Sequence, residues 1–435
     1  MLAARSVHDT AAMIECPAAA AAPDRRAQRN SLIYANVGHV FIHLFTAMYF
    51  TIALAMEQQG FLNLSYADLT PLWGLGALLV GLAAMPAGWL ADRWSATGMM
   101  AIFFLGLGGA GVACAFAEGE TLLWLGLSAI GLFSAIYHPV AVPWVVRNAE
   151  QRGKALAFNG IFGNVGVGIA AAVAGVLSDL ISWRAAFLVP SVLCLATGVA
   201  LLWSWRRGRV SEGEDQRMTM GAKPPSRGDM WRGFFVLAIC MACMGLIFQA
   251  TQASLPKLFE LRLGDSLSGL FGDGASGPAL MVALVYAIGS VMQLIGGHLA
   301  DRYPLKPIYV GSFVVQAAVV LLVANAGSVV LVLLAGFSAA LSTGALPAEN
   351  MLLARFSPAK HRGLAFGAKY VLAFGMAPLA IWGAARILET TGEYVQLYYA
   401  MGALALLALV CGLLLPGERR GAPTAAATPA AQPAE

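Results

Sequence analysis

The chain has 435 residues, 59% of them hydrophobic and 11% charged, with a formal net charge of +4. Soluble domains carry about a quarter charged residues, so the composition excludes an ordinary soluble enzyme or binding module and predicts a membrane protein. The small positive excess lies in short clusters between apolar runs, which argues for membrane orientation and against a nucleic-acid surface.

Residues 1–31 are Ala-rich but interrupted by Asp9, Glu15 and Asp24, so they lack the apolar core of a signal peptide. They read as a disordered cytosolic tail. Twelve apolar runs follow, at 32–56, 67–91, 97–117, 120–146, 155–181, 185–205, 231–255, 275–300, 306–325, 327–353, 362–388 and 393–415. Each is long enough, at roughly 18–25 residues, to cross a hydrocarbon core of about 30 Å. The prediction is an all-α membrane protein of twelve transmembrane helices. A six-helix half at 32–205, a charged cytosolic linker at 206–230, a second six-helix half at 231–415 and a disordered cytosolic tail at 416–435 complete it. Of the 27 Lys and Arg, 22 fall on the side of the termini and four (Arg184, Lys257, Arg262, Arg386) on the other. That asymmetry places both termini in the cytosol.

In the first half, the opening run carries His39 and His43, four apart and so on one helix face. The second run ends in "GWLADRW", with Gly88, Asp92 and Arg93 at its join to the third. The fourth contains His138 and Pro139 in "IYHPV". At 1.5 Å per residue the three histidines lie roughly 10–16 Å in from the cytosolic side. Imidazoles at such depth can carry protons, bind a metal, or only hydrogen-bond neighbouring helices together. The fifth run is rich in glycine from Gly160 to Gly175, which permits close helix crossing.

In the second half, the seventh run brings Cys240 and Met244 to one helix face, with Gln249 and Gln252 deeper in. Thiol and thioether suit a soft ion but are also ordinary apolar filler, and the glutamines suit a polar solute or helix-to-helix bonds. The eighth run ends in "GGHLADRY", with Gly297, Asp301 and Arg302. The tenth carries Glu349 and Asn350 after Pro347, and the eleventh Lys369. Ionisable groups inside spans are costly and point to function; a fixed ion pair is the competing reading. The halves repeat: Asp92 and Asp301 are 209 residues apart, Pro139 and Pro347 208, Arg152 and Arg362 210. Such a constant offset identifies a duplicated unit.

The two LADR loops resemble the signature loops of the major facilitator superfamily, over about residues 32–415. "YHPVA" at 137–141, with an early Gly-His on the first span, is most similar to the fosmidomycin-resistance-type branch. The resemblance implies that Gly88, Asp92 and Arg93, with Gly297, Asp301 and Arg302 as a partial copy, latch a cytosolic gate. The first copy lacks the further basic residue usual after it. It also implies a central cavity lined by spans 1, 4, 7 and 10. There His39, His43, His138, Gln249, Gln252, Glu349 and Asn350, with Lys369 beside them, would bind solute or protons. The Gly-Pro pair in span 5 and the Arg in span 4 that are usual in multidrug antiporters are missing.

The expected function is secondary active transport of a small solute by alternating access in the bacterial cytoplasmic membrane. Protons are the expected coupling ion; the direction is left open, with efflux of a drug or metabolite as one option. The alternative is a soft, copper-like ion transporter with His39, His43, His138, Cys240 and Met244 as ligands. A sensor that has lost transport fits less well with signature loops kept in both halves. No phosphate-binding loop is present, so ATP hydrolysis, enzymatic turnover and a cofactor are not expected. The partners are the bilayer, the solute and protons, with no nucleic acid.

Overall fold

The structure, a computed structural model, describes residues 24–213, 225–358 and 362–417. The expected tails at 1–23 and 418–435 and the middle of the linker lie outside these residues. The first half comprises α1 (Arg25–Gln58), α2 (Tyr66–Leu69), α3 (Gly74–Leu82), α4 (Ala84–Arg93), α5 (Ala96–Ala115), α6 (Glu120–Ser134), α7 (Tyr137–Asn148), α8 (Arg152–Leu180) and α9 (Trp183–Arg206). The second comprises α10 (Arg227–Phe271), α11 (Ser276–Arg302), α12 (Leu305–Val323), α13 (Ser328–Gly344), α14 (Leu346–Arg355), α15 (Arg362–Gly375), α16 (Ala377–Thr391) and α17 (Val395–Leu413). Eleven of these segments, some joined in pairs, are long and apolar enough to cross a membrane. The bent pair Tyr66–Leu82 and Ala84–Arg93, at 42°, makes the twelfth. An all-helical bundle is the form hydrocarbon permits, because each helix satisfies its own backbone groups.

Four spans are broken at mid-depth, and each break has a proline just beyond it. The second span breaks at Ala83 before Pro86, the fourth at 135–136 before Pro139, the tenth at Ala345 before Pro347, and the eleventh at Met376 before Pro378. A proline nitrogen cannot bond the carbonyl four residues back, so the helix bends or ends there. The breaks of the fourth and tenth spans repeat the sequence offset between the halves. At each repeat the loop glycine packs on that proline. A methyl group on Gly88 would lie 3.1 Å from Pro139, and one on Gly297 4.0 Å from Pro347.

Three boundaries differ from expectation, one of them the start of α10 at Arg227, inside the expected linker 206–230. Helix α1 begins at Arg25 with Asp24 as its cap, so 25–31 are helical rather than tail. The linker's first residues explain this: the Arg209 and Ser211 carbonyls accept bonds from Asn30 and Ser31. Helix α10 continues 16 residues past the expected end at 255. Its polar extension finds partners, since Lys257 pairs with Glu57 at 2.6 Å and Arg262 with Glu393 at 3.1 Å.

All four cations at the end opposite the termini are engaged. Arg184 donates to the Ala115 and Ala117 carbonyls at the end of α5, and Arg262 to Val323, Ala324 and Ala326 at the end of α12. A cation at a helix C-terminus is favoured by the helix dipole. Arg386 pairs with Glu389 at 2.7 Å.

The charge asymmetry predicts a labelling pattern in intact cells with a membrane-impermeant thiol reagent. Cysteine in place of Glu118, exposed in the turn between α5 and α6, is labelled directly. Cysteine in place of Gln151, exposed before α8, is labelled only after permeabilisation. The reverse pattern would put the termini outside.

Candidate transport site

Helix α1 presents His39 and His43 toward the first turn of α7, where the break before Pro139 leaves Tyr137 and His138 at mid-depth. The three imidazoles meet. Ring centroids are 5.0 Å apart for His39 and His43, 5.5 Å for His39 and His138, and 5.6 Å for His43 and His138. His39 is buried, stacks on Tyr137 at 4.8 Å, and its Nδ1 donates to the Asn159 carbonyl at 2.7 Å. Asn159 donates in turn to Asn36 at 2.9 Å and to the Tyr137 hydroxyl at 3.0 Å. The Tyr137 hydroxyl donates to the Ala35 carbonyl. This chain of bonds fixes His39 against α8, where Gly163 leaves room for the ring. His43 and His138 are half-buried.

His43 opens onto a cavity of about 110 Å³ between the halves. The first half contributes Thr46 and Asn164 beside it; the second contributes Gln249, Gln252, Ser290, Gln293 and Thr343. Trp73, Phe248 and Phe374 add aromatic walls. Few convergent polar groups in an apolar frame is the usual make-up of a small-molecule site. Asn164, Ser290 and Gln293 lie on the fifth and eighth spans, outside the four that sequence reasoning assigned to the cavity. Their signal was a polar side chain inside an apolar run.

Glu349, Asn350 and Lys369 form a separate cluster within the second half. Lys369 Nζ lies 2.7 Å from one Glu349 oxygen and 2.6 Å from the Asn350 oxygen. The other Glu349 oxygen accepts from Tyr309 at 2.8 Å. Glu349 and Lys369 are both buried, at 5% and 8% exposure. Next along α15, Tyr370 crosses to the first half and stacks on His138 at 5.1 Å.

Cys240 and Met244 do not join the histidines. Cys240 is buried against α17, its thiol directed at the Ala408 carbonyl, in an apolar cluster with Leu237, Tyr309 and Phe313. Nine residues separate Cys240 from the cavity-lining Gln249, half a turn out of phase on a 3.6-residue helix, so the thiol faces away. Met244 is partly buried and packs against the two apolar cores. The five-ligand soft-metal set is therefore not assembled here. Among the described residues, the one group of three or more His, Cys, Asp or Glu with ligand atoms close together is His39, His43 and His138.

The gate loops also differ from expectation. Asp92, Arg93, Asp301 and Arg302 are exposed, and Arg93 lies over its own Trp89 ring at 4.1 Å. The carboxylate at the neighbouring helix N-terminus comes from the linker instead. Glu212 accepts from Ser95 Oγ at 2.6 Å and from the Ala96 and Thr97 amides at 2.9 and 3.3 Å. An acid is favoured there by the unpaired amides and the helix dipole. Sequence reasoning missed Glu212 because a single acid in a charged linker carries no spacing signal.

The bonds between the halves gather at the end opposite the termini. Glu57 pairs with Lys257, Gln58 donates to Glu260, and the Tyr66 hydroxyl donates to the Ala253 carbonyl. Asp179 accepts from the Ala275 and Ser276 amides at the start of α11, at 3.0 and 2.8 Å. That end is closed. Charge-assisted bonds are worth about 1.5–3 kcal/mol, so Glu57→Gln should raise the population open at that end about tenfold. Labelling of a cysteine at Gln252 from the end opposite the termini should quicken to match; an unchanged rate would show that the ion pair does not hold the closure.

The sequence profile of the Major Facilitator Superfamily matches residues 37–290 and 271–434. Among solved structures, the chain is similar to a crystal structure of a bacterial homolog to the human lysosomal transporter Spinster, inward-facing and occupied. The TM-score is 0.67 at 14% identity, over 90% of this chain and 95% of that one. The inward-facing, unoccupied structure of a bacterial Spinster homolog gives a TM-score of 0.62 at the same identity and coverage. At that identity the likeness speaks for the fold alone. No curated protein matches the sequence. With both halves matched by the profile, the chain belongs to the Major Facilitator Superfamily of secondary transporters.

Proposed function

We propose that the chain moves a small polar solute across a bacterial cytoplasmic membrane by alternating access, coupled to protons, with both termini in the cytosol. The observation that carries this reading is the cavity at the junction of the halves, with His43, Thr46 and Asn164 facing Gln249, Gln252 and Gln293. Rocking the halves about such a site exposes it to one side and then the other. With the far end closed by Glu57, Lys257 and Asp179, the cavity loads from the terminus side. That arrangement suits export of a drug or metabolite. A place near the fosmidomycin-resistance-type branch, on "YHPVA" and Gly38-His39, belongs to the same reading.

Coupling is assigned first to Glu349. A buried carboxylate held by one cation and one hydroxyl has two stable forms, paired and charged or protonated and released. Moving a proton onto Glu349 frees Lys369, which keeps only Asn350, and so loosens α14 from α15. His39, His43 and His138 are the alternative place for the coupling proton, since imidazole can carry one. The copper-like reading loses its soft ligands, with Cys240 turned away and Met244 packed against the apolar cores.

Expression in a sensitive strain, screened across antibiotics and toxic metabolites, identifies the solute as the one against which the chain protects. In proteoliposomes, Glu349→Gln is then expected to lower accumulation driven by a pH gradient at least tenfold. Exchange of the same solute at equal pH should persist. Gradient-driven accumulation at the normal rate would remove Glu349 from the coupling machinery.

A further inference from the structure

Removing the thiol and the thioether from the histidine cluster changes the chemistry it offers. What remains is three imidazoles, each able to present one ring nitrogen, with those nitrogens within 4.8 Å of one another. Three further observations bear on their use. First, a carbonyl can only accept, so the bond from His39 Nδ1 to Asn159 fixes the tautomer and leaves Nε2 with its lone pair. An imidazole tied through its other nitrogen to a backbone carbonyl is the usual second-layer support of a metal-bound histidine. Second, the rings of His43 and His138 have no hydrogen-bond partner among the described residues, which argues against their serving as bonds between helices. Third, His43 also lines the cavity, so a fourth position beside it is open to water or solute.

We propose that His39, His43 and His138 bind one borderline divalent transition-metal ion, of the class of Zn²⁺ or Co²⁺. Imidazole nitrogens suit such ions, whereas the copper(I) class prefers the sulfur ligands that face elsewhere. Bonds of about 2.0–2.1 Å place tetrahedral nitrogens about 3.3 Å apart. The cluster must therefore contract by at most about 1.5 Å, within reach of side-chain rotation at the half-buried His43 and His138. Three protein ligands with an open fourth position leave the ion exchangeable, unlike a closed structural site. All three ligands belong to the first half, on α1 and α7, so relative motion of the halves does not dismantle the site. Only its cover changes: Tyr370, from the other half, lies on His138.

Purified full-length protein in detergent, titrated with Zn²⁺ by calorimetry and with Co²⁺ by visible absorption, tests this without any transport step. Failure would thus leave the Glu349 reading untouched. The expected result is saturable binding of one ion per chain. His43→Gln and His138→Gln should each weaken it at least tenfold, and the triple His→Gln variant should abolish it, while Cys240→Ser leaves it unchanged. Gly163→Ala keeps every ligand but sets a methyl 2.6 Å from His39 Nε2, so it should weaken binding as well. Absence of saturable binding in the wild-type protein would overturn the proposal, as would stoichiometric binding that survives in the triple variant. Should the triple variant fail to elute as folded protein, His43→Gln decides alone: undiminished affinity in that variant is equally fatal.

Discussion

An unpaired polar or charged group in hydrocarbon costs several kcal/mol, and the positions of nearly all the functional groups follow from that cost. Backbone groups are satisfied within helices, so the chain is a bundle. Side chains that must be polar are drawn into clusters that satisfy one another. The Tyr137, Asn159, Asn36 and His39 chain is one, and Glu349, Lys369, Asn350 and Tyr309 another. Between them lies a cavity toward which polar side chains of both halves are directed. A site is legible here as a departure from the rule that governs everything around it.

The same cost shapes how the halves can move. Within each half, a glycine of the LADR loop rests on the proline that breaks the fourth span of that half, Gly88 on Pro139 and Gly297 on Pro347. The contact ties the loop to the broken helix, so a shift at the terminus end is transmitted to mid-depth where the break lies. Glu212 adds a further tie, holding the start of α5 from the linker side. Between the halves, by contrast, the polar bonds sit at the far end, where the ion pair of Glu57 with Lys257 is partly exposed. Its ionic groups are rehydrated when the halves separate, which recovers part of the energy of the lost bond.

Much of this was legible in the sequence. Twelve apolar runs, the duplicated offset and the charge asymmetry are long-range regularities, and the helices follow them. His39, His43 and His138 could be matched in depth because helical rise is additive along the chain, and the family resemblance, which puts spans 1 and 4 on one cavity, brought them together. Cys240 and Met244 could not be placed, because depth alone says nothing of which way a helix is turned. Rotation is set by packing, here by α17 against α10. The length of α10 was hidden for a related reason: "LPKLFELRLG" looks too polar to continue a span, and its cations are satisfied by Glu260 within it and by distant partners at positions 57, 323, 324, 326 and 393. Glu212 was hidden because a helix start can be capped from any loop that passes near it.

The arrangement also bears on how two polar clusters, one in each half, can act together. Lys369 and Tyr370 are consecutive on α15, and consecutive side chains on a helix diverge by about 100°. One therefore reaches back to Glu349 inside its own half, and the other reaches across to His138. A roll of α15 would therefore act on the ion pair and on the ring stack together. The break at Met376, before Pro378, leaves that helix segment free of the rigidity of a continuous span. The proposed coupling therefore needs no continuous wire of bonds from Glu349 to the histidines, because one short helix carries both the partner of Glu349 and the ring that covers His138.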